Sequence, residues 1–212
     1  LEPEQLWTTM TDFGFGSLTS SGFPGESAGL LTHFNHWRPI NQATLAYGYG
    51  VSVTPLQLAQ AYSVLGTDGM LRPMSLVAID EPVDGNRVMA PDSAAAVRRM
   101  LEEVVRPGGT GTKASVAGYR IAGKTGTAKK IVPGGYSEND YISIFAGLAP
   151  ASDPRLAAVV VIDEPSGELY YGSDVAAPVF AEVMSESLRL LAVPPDAMPA
   201  RDPGSIIQAM SQ

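Results

Sequence analysis

Apolar residues in the first hundred positions fall mainly at helical spacing, and later ones gather into short dense strings. Leu6, Met10 and Phe13 share one face of a helix predicted over residues 3–13, with Gly14 as its stop. Residues 14–29 are rich in Gly, Ser and Thr and read as a loop. An irregular stretch over 37–50 closes on Tyr47-Gly48-Tyr49-Gly50. Thr54-Pro55-Leu56-Gln57 then supplies an N-cap, a proline suited to the first helical position and a capping-box glutamine. The helix it opens carries Leu58, Ala61, Tyr62 and Leu65 and stops over 66–69. Short strands are predicted over 73–79 and 87–89 around an Asp84-Gly85 turn. Pro91 opens a further helix whose Val97, Met100, Leu101 and Val104 form one stripe, ended by Pro107-Gly108-Gly109.

Strand texture follows, over 119–127, 141–148 and 156–163. The unbroken Val159-Val160-Val161-Ile162 suits a strand covered on both faces. Pro133-Gly134-Gly135, also a candidate flap, and Asp153-Pro154 are short connections, so the strands should form an antiparallel meander. A last helix over 175–191 should turn Val179, Phe180, Val183, Met184, Leu188 and Leu191 inward, with Pro178 in its first turn. There is no internal repeat. The expectation is one α+β domain over 1–192, an antiparallel sheet packed between helices, and a Pro-rich tail over 193–212 holding Pro194, Pro195, Pro199 and Pro203.

Composition narrows the function classes. Hydrophobic residues are 45% of the 212, which supports a folded core rather than disorder. The net charge is −8 with no Lys/Arg run, which argues against nucleic acid as a partner. Without cysteine there is no disulfide or thiolate metal site. His33 and His36 have HxxH spacing on a loop, but no acid stands at ligand spacing, so no metal site is expected. Nor is any cofactor implied. No apolar run is long enough to span a membrane. The first residue is Leu1, inside a helical pattern, so any anchor or targeting segment is expected upstream.

Lys124-Thr125-Gly126-Thr127 ends the first predicted strand. Alone the tripeptide Lys-Thr-Gly is weak evidence, since chance supplies it in roughly one chain in twenty of this length. Its surroundings are more specific. Gly118-Tyr119-Arg120-Ile121-Ala122-Gly123 precedes it, Gly109-Thr110-Gly111-Thr112 lies further back, and Tyr141-Ile142-Ser143-Ile144-Phe145-Ala146-Gly147-Leu148-Ala149-Pro150 follows. With Gly48-Tyr49-Gly50-Val51-Ser52-Val53-Thr54-Pro55-Leu56-Gln57-Leu58-Ala59, these strings resemble the penicillin-binding D,D-transpeptidases in order and spacing, over about residues 1–192. The segment 6–13, Asp163-Glu164-Pro165 and Ala176-Ala177-Pro178-Val179-Phe180 look most like the class B, septal division enzymes.

The resemblance implies a penicillin-binding transpeptidase or β-lactamase-like fold, incomplete at its N-terminal side. It also implies a serine that attacks a D-Ala-D-Ala stem peptide, an acyl-enzyme released by a second stem, and β-lactams as donor mimics. The family motifs are SxxK, SxN and KTG. No SxxK occurs in this chain. Ser137-Glu138-Asn139 follows KTG, where the family places SxN before it, and reads as a turn-loop coincidence. No catalytic residue is therefore assigned here; both missing motifs are expected upstream of Leu1, and this chain should be inactive alone.

On the same resemblance, Lys124 offers a positive field to the donor carboxylate, and Thr125 and Thr127 offer hydroxyls. Gly126 leaves room for another backbone, and an amide near Thr127 helps hold the oxyanion. Tyr141, Tyr170 and Tyr171 form either an aromatic wall against the ligand or ordinary packing. Lys129 and Lys130 read as surface charge. The partners implied are a stem peptide or lipid-linked precursor, β-lactams, the N-terminal half of the same protein, and divisome membrane proteins such as a glycosyltransferase. The location implied is the periplasmic face of the inner membrane, with an upstream transmembrane anchor. Alternatives left open are a D,D-carboxypeptidase, a serine β-lactamase, and a non-catalytic sensor or division scaffold.

Overall fold

The computed structural model describes residues 1–81 and 83–197. In chain order its helices are α1 (Pro3–Asp12), α2 (Pro39–Leu45), α3 (Pro55–Gly66), α4 (Pro91–Val105) and α5 (Gly172–Leu190). Two short antiparallel pairs join β1 (Leu30–Leu31) to β2 (Val51–Ser52) and β3 (Met70–Leu71) to β4 (Asn86–Arg87). The main sheet is an antiparallel meander of β5 (Ala122–Val132), β6 (Gly135–Ala149) and β7 (Leu156–Asp163). This is the expected α+β arrangement.

Alternation along β6 divides the core between two faces. Phe145 and Ala149 face α5 with Phe180, Met184 and Leu188, while Leu148 joins Ala122, Leu65, Val97 and Leu101 beneath α3 and α4. β7 is covered on both faces, by α5 and by α3, although Val161 stays 37% exposed.

The start of α3 follows the sequence closely. Thr54 Oγ1 accepts from the Gln57 amide, and the Gln57 side chain accepts in return from the Thr54 amide. Gln57 also does more than a cap requires. It is buried, and its Nε2 donates to the carbonyls of Ser17 and Ala28, tying the Gly/Ser/Thr-rich loop onto α3.

Several local expectations are corrected. Residues 73–79 form no strand; the pairing is Met70–Leu71 with Asn86–Arg87, and Leu76, Val77 and Ile79 are exposed. Lacking a partner strand, their apolar string has no face to bury. The strand expected over 119–127 begins at Ala122, because Tyr119 bridges Val116 and the Arg120 amide donates to Asp196. Met100 is 67% exposed, since the inward side of α4 is Ala94, Val97, Leu101 and Val105. Along α5 the buried row is Ala176, Phe180, Met184 and Leu188, at i+4 spacing, so Val179, Val183 and Leu191 point outward. Pro178 lies in the second turn, not the first, and leaves the Asp174 carbonyl without its helical donor.

After α5 the chain stays attached as far as Ala197. Tyr119 Oη donates to the Val193 carbonyl, Asp196 accepts from Arg120 and Ser152, and the Ala197 amide donates to Gly118. The rest of the expected tail, with Pro199 and Pro203, lies outside the described residues. None of the described helices is long and apolar enough to cross a membrane.

Candidate substrate-binding edge

Among the described residues β5 pairs only with β6, so one of its edges is free. The register tells which groups face out. Lys129 is opposite Tyr141, yet its amide donates to Tyr49 Oη at 3.4 Å, and the Tyr141 carbonyl accepts from Glu164 on the far side. This is a non-hydrogen-bonded pair. By the two-residue repeat, the amides and carbonyls of Thr125 and Thr127 also point out of the free edge.

Lys124 is exposed on the opposite face from Thr125 and Thr127, and its ammonium curls back to the edge. Its Nζ donates to the Thr125 carbonyl at 2.9 Å and lies 3.4 Å from Thr125 Oγ1. No carboxylate among the described residues forms an ion pair with it. Thr125 Oγ1 is 3.2 Å from Thr110 Oγ1, which brings the Gly109-Thr110-Gly111-Thr112 segment beside the motif. Lys113, one residue on, forms a 2.7 Å ion pair with Asp174 in the first turn of α5. There the carboxylate also suits the positive end of the helix.

Thr127 Oγ1 accepts from the Gly172 amide at 3.0 Å, so its own hydrogen remains free to donate. That contact exists because α5 begins directly against the sheet. A Cβ on Gly172 would lie 2.4 Å from the Ile144 carbonyl oxygen and 2.5 Å from that of Gly126. Gly123 is equally constrained, since a Cβ there would meet the Phe145 ring at 2.7 Å. At Gly126 the nearest atom to an added Cβ is Ile144 Cβ at 3.6 Å, an ordinary contact. Packing within this chain therefore requires Gly123 and Gly172, which the sequence reading passed over, and does not require Gly126. The signal for Gly172 was its place between Tyr170-Tyr171 and the last helix.

The three tyrosines converge. Tyr141 and Tyr170 stack with centroids 4.0 Å apart and planes 16° from parallel. Tyr171 is 4.5 Å from Tyr170, and their hydroxyls are 3.2 Å apart. The hydrogen bond with Tyr170 holds the Tyr171 phenol above its ordinary pKa. Ser143, the cross-strand partner of Thr127, donates to the Tyr170 carbonyl and fixes the aromatic loop beside the motif. Lys129 Nζ is 6.0 Å from the Tyr141 ring centre, at the outer limit of a cation–π contact.

Lys130 is more than surface charge. It bridges Asp163 at 2.9 Å and Glu164 at 2.6 Å, and hydrogen bonds to Glu164 and then Asp163 hold its ammonium above the ordinary lysine range. Ser137-Glu138-Asn139 lies within β6 rather than in a turn, in a bulge opposite Lys130; Ser137 Oγ donates to Asp140 and accepts from the amides of Asn139 and Asp140. His33 Nδ1 accepts from the Asn35 amide, and its ring packs against Trp7 and Phe34.

A KTG strand with a free edge, backed by α5 and α4 on an antiparallel sheet, is the arrangement expected of a penicillin-binding transpeptidase domain. Residues 1–185 match the family described as penicillin binding protein transpeptidase domain, and the chain belongs to that family, in its class B branch. It is 46% identical over 202 residues to the peptidoglycan D,D-transpeptidase FtsI of Escherichia coli K12, covering 95% of this chain and 34% of that protein. The probable peptidoglycan D,D-transpeptidase PenA of Neisseria gonorrhoeae is 43% identical over 192 residues, 91% of this chain and 33% of PenA. The apo transpeptidase domain of Burkholderia pseudomallei penicillin-binding protein 3 superposes with a TM-score of 0.87 at 44% identity, over 94% of this chain and 60% of that one. The chain thus spans about a third of the length of these curated relatives.

Proposed function

We propose that this chain supplies the donor-binding edge of a septal peptidoglycan D,D-transpeptidase that acts through a serine acyl-enzyme. The observation that carries the reading is the ammonium of Lys124, without a carboxylate partner among the described residues, at a free strand edge where Thr125 and Thr127 turn their amides outward. A stem peptide ending in D-Ala-D-Ala brings the carboxylate this cation lacks. Laid along the edge, its backbone pairs with β5 as an added strand. The Thr125 and Thr127 hydroxyls donate to the carboxylate, and the Thr127 amide faces the carbonyl oxygen that becomes the oxyanion. Tyr141, Tyr170 and Tyr171 form a wall against the donor's side chain or the corresponding group of a β-lactam.

The nucleophile and its SxxK lysine belong, on this reading, to the part of the protein preceding Leu1. The serine attacks the penultimate carbonyl and expels the terminal D-Ala; the amine of a second stem then displaces the serine to form the cross-link. The names of the relatives favour transpeptidation over carboxypeptidase or β-lactamase action. The same reading places the domain on the periplasmic face of the inner membrane, held by an upstream transmembrane anchor. Its partners there are lipid-linked precursor and divisome proteins, including a glycosyltransferase.

The full-length protein should be labelled covalently by fluorescent penicillin, and residues 1–212 alone should not. Lys124→Ala in the full-length protein should slow acylation by about 10- to 100-fold, the size of one lost charge-assisted contact of about 1.5–3 kcal/mol. Acylation at the wild-type rate would remove KTG from the substrate site.

A further inference from the structure

Among the described residues, Tyr49 occupies an outward amide on the free edge of β5. The hydroxyl of this residue accepts from the Lys129 amide, the next outward amide after Thr127. Two other rings pack against its own. Tyr136 of β6 meets it edge-on with centroids 5.3 Å apart at 80°, and Tyr47 lies 5.8 Å away at 62°. Tyr49 comes from the segment between α2 and β2, distant in sequence from the strand it blocks. The other end of the edge is marked by Lys124, whose ammonium covers the Thr125 carbonyl. From Thr125 to Lys129 the strand advances about 13 Å at about 3.3 Å per residue.

We propose that Tyr49 is a specificity-determining register stop, which limits the length of donor peptide able to pair with β5; this rests on the donor-edge reading above. With its carboxylate at Lys124, an extended peptide runs antiparallel to β5, and its upstream residues travel toward Lys129. The Thr127 amide and carbonyl and the Thr125 amide are open to it, and the Thr125 carbonyl becomes so as the Lys124 ammonium turns to the incoming carboxylate. At Lys129 the amide is already taken and a packed aromatic ring stands in the path. The upstream part of the stem must therefore leave the sheet, turning away from the strand after its last few residues. Recognition through backbone pairing is confined to the end of the stem that reacts.

The test uses the full-length protein and acyl donors with a thioglycolate leaving group carrying either two or five residues upstream, with thiol release as the readout. Wild type should acylate with both at rates within about twofold. Tyr49→Ala should favour the five-residue donor by about fivefold, the effect of one backbone hydrogen bond regained at Lys129. Tyr49→Phe keeps the ring and should remain as insensitive to length as wild type. A wild type whose rate climbs strongly from the short to the long donor overturns the stop without recourse to any variant. A penicillin-labelled Tyr49→Ala protein with the flat wild-type profile overturns it too, while leaving the donor-edge reading intact. A wild type that fluorescent penicillin does not label overturns both.

Discussion

Replacing Gly172 by alanine adds one carbon at the point where α5 meets the sheet. At an exposed helix position the change would stabilise by about 0.4–1 kcal/mol, through the unfolded chain. Here the new Cβ would be 2.4 Å from the Ile144 oxygen and 2.5 Å from the Gly126 oxygen, both main-chain atoms of a paired ladder. Neither can swing aside as a side chain would, so the helix start must lift. Overpacking of this kind costs about 1–3 kcal/mol. Lifting also breaks the 3.0 Å bond from the Gly172 amide to Thr127 Oγ1, a further loss of about 1 kcal/mol. The sum, about 2–4 kcal/mol, exceeds the entropic gain. For a domain of this size it corresponds to a fall in melting temperature of about 5–15 °C. Differential scanning fluorimetry on the full-length protein measures it, and penicillin acylation should slow in parallel as Thr127 loses its fixed rotamer. Gly167→Ala is the control, since nothing but the Leu169 amide, at 3.9 Å, is near its added carbon. A Gly172→Ala protein as stable as the control, and acylating normally, would refute the reasoning.

Gln57→Leu preserves volume but leaves the Ser17 and Ala28 carbonyls without their donor and opens the capping box; urea unfolding should show a loss of about 2–4 kcal/mol. Arg120 makes a bidentate pair with Glu102 at 2.8 Å, in which the Arg120 side chain is 42% exposed but that of Glu102 only 7%. Arg120→Leu therefore strands a buried carboxylate, and a destabilisation of about 2–3 kcal/mol is expected, below the full cost for a wholly buried pair. Lys130 has a raised pKa, so its stabilising contribution is complete below the unfolded lysine value of about 10.4 and fades as pH climbs toward the folded value. The gap in urea midpoint between wild type and Lys130→Met should be constant from about pH 7 to 9 and narrow above about pH 10.5; a gap unchanged at pH 11 would contradict the assignment.

What the sequence made legible was whatever is written locally. The capping box at Thr54 and Gln57 is a short-range code, and the span of β7 was read without error because turn residues bracket a β-branched string. Faces were harder. Val179 and Val183 are as apolar as Phe180 and Met184, and only the position of the sheet decides which row of α5 is buried. Met100 was misplaced for the same reason, and the string over 73–79 because no neighbouring strand could be foreseen. At the site, Lys124 and its threonines were readable as a motif. The contacts that hold them come from far along the chain, Thr110 on one side and Gly172 on the other. Tyr49 was visible in the Tyr-Gly-Tyr-Gly string, but its place on the β5 edge depends on a register that no local pattern contains.

The bond between the first residue of α5 and Thr127 makes the motif sensitive to the remote interior. Phe180, Met184 and Leu188 seat that helix against the sheet, so a change in their packing shifts the Gly172 amide and with it the Thr127 hydroxyl it is bonded to. On the proposed function, a conservative exchange deep under the sheet, touching no ligand, would thus alter how a β-lactam is held. Susceptibility surveys confined to cleft-lining codons would overlook that route.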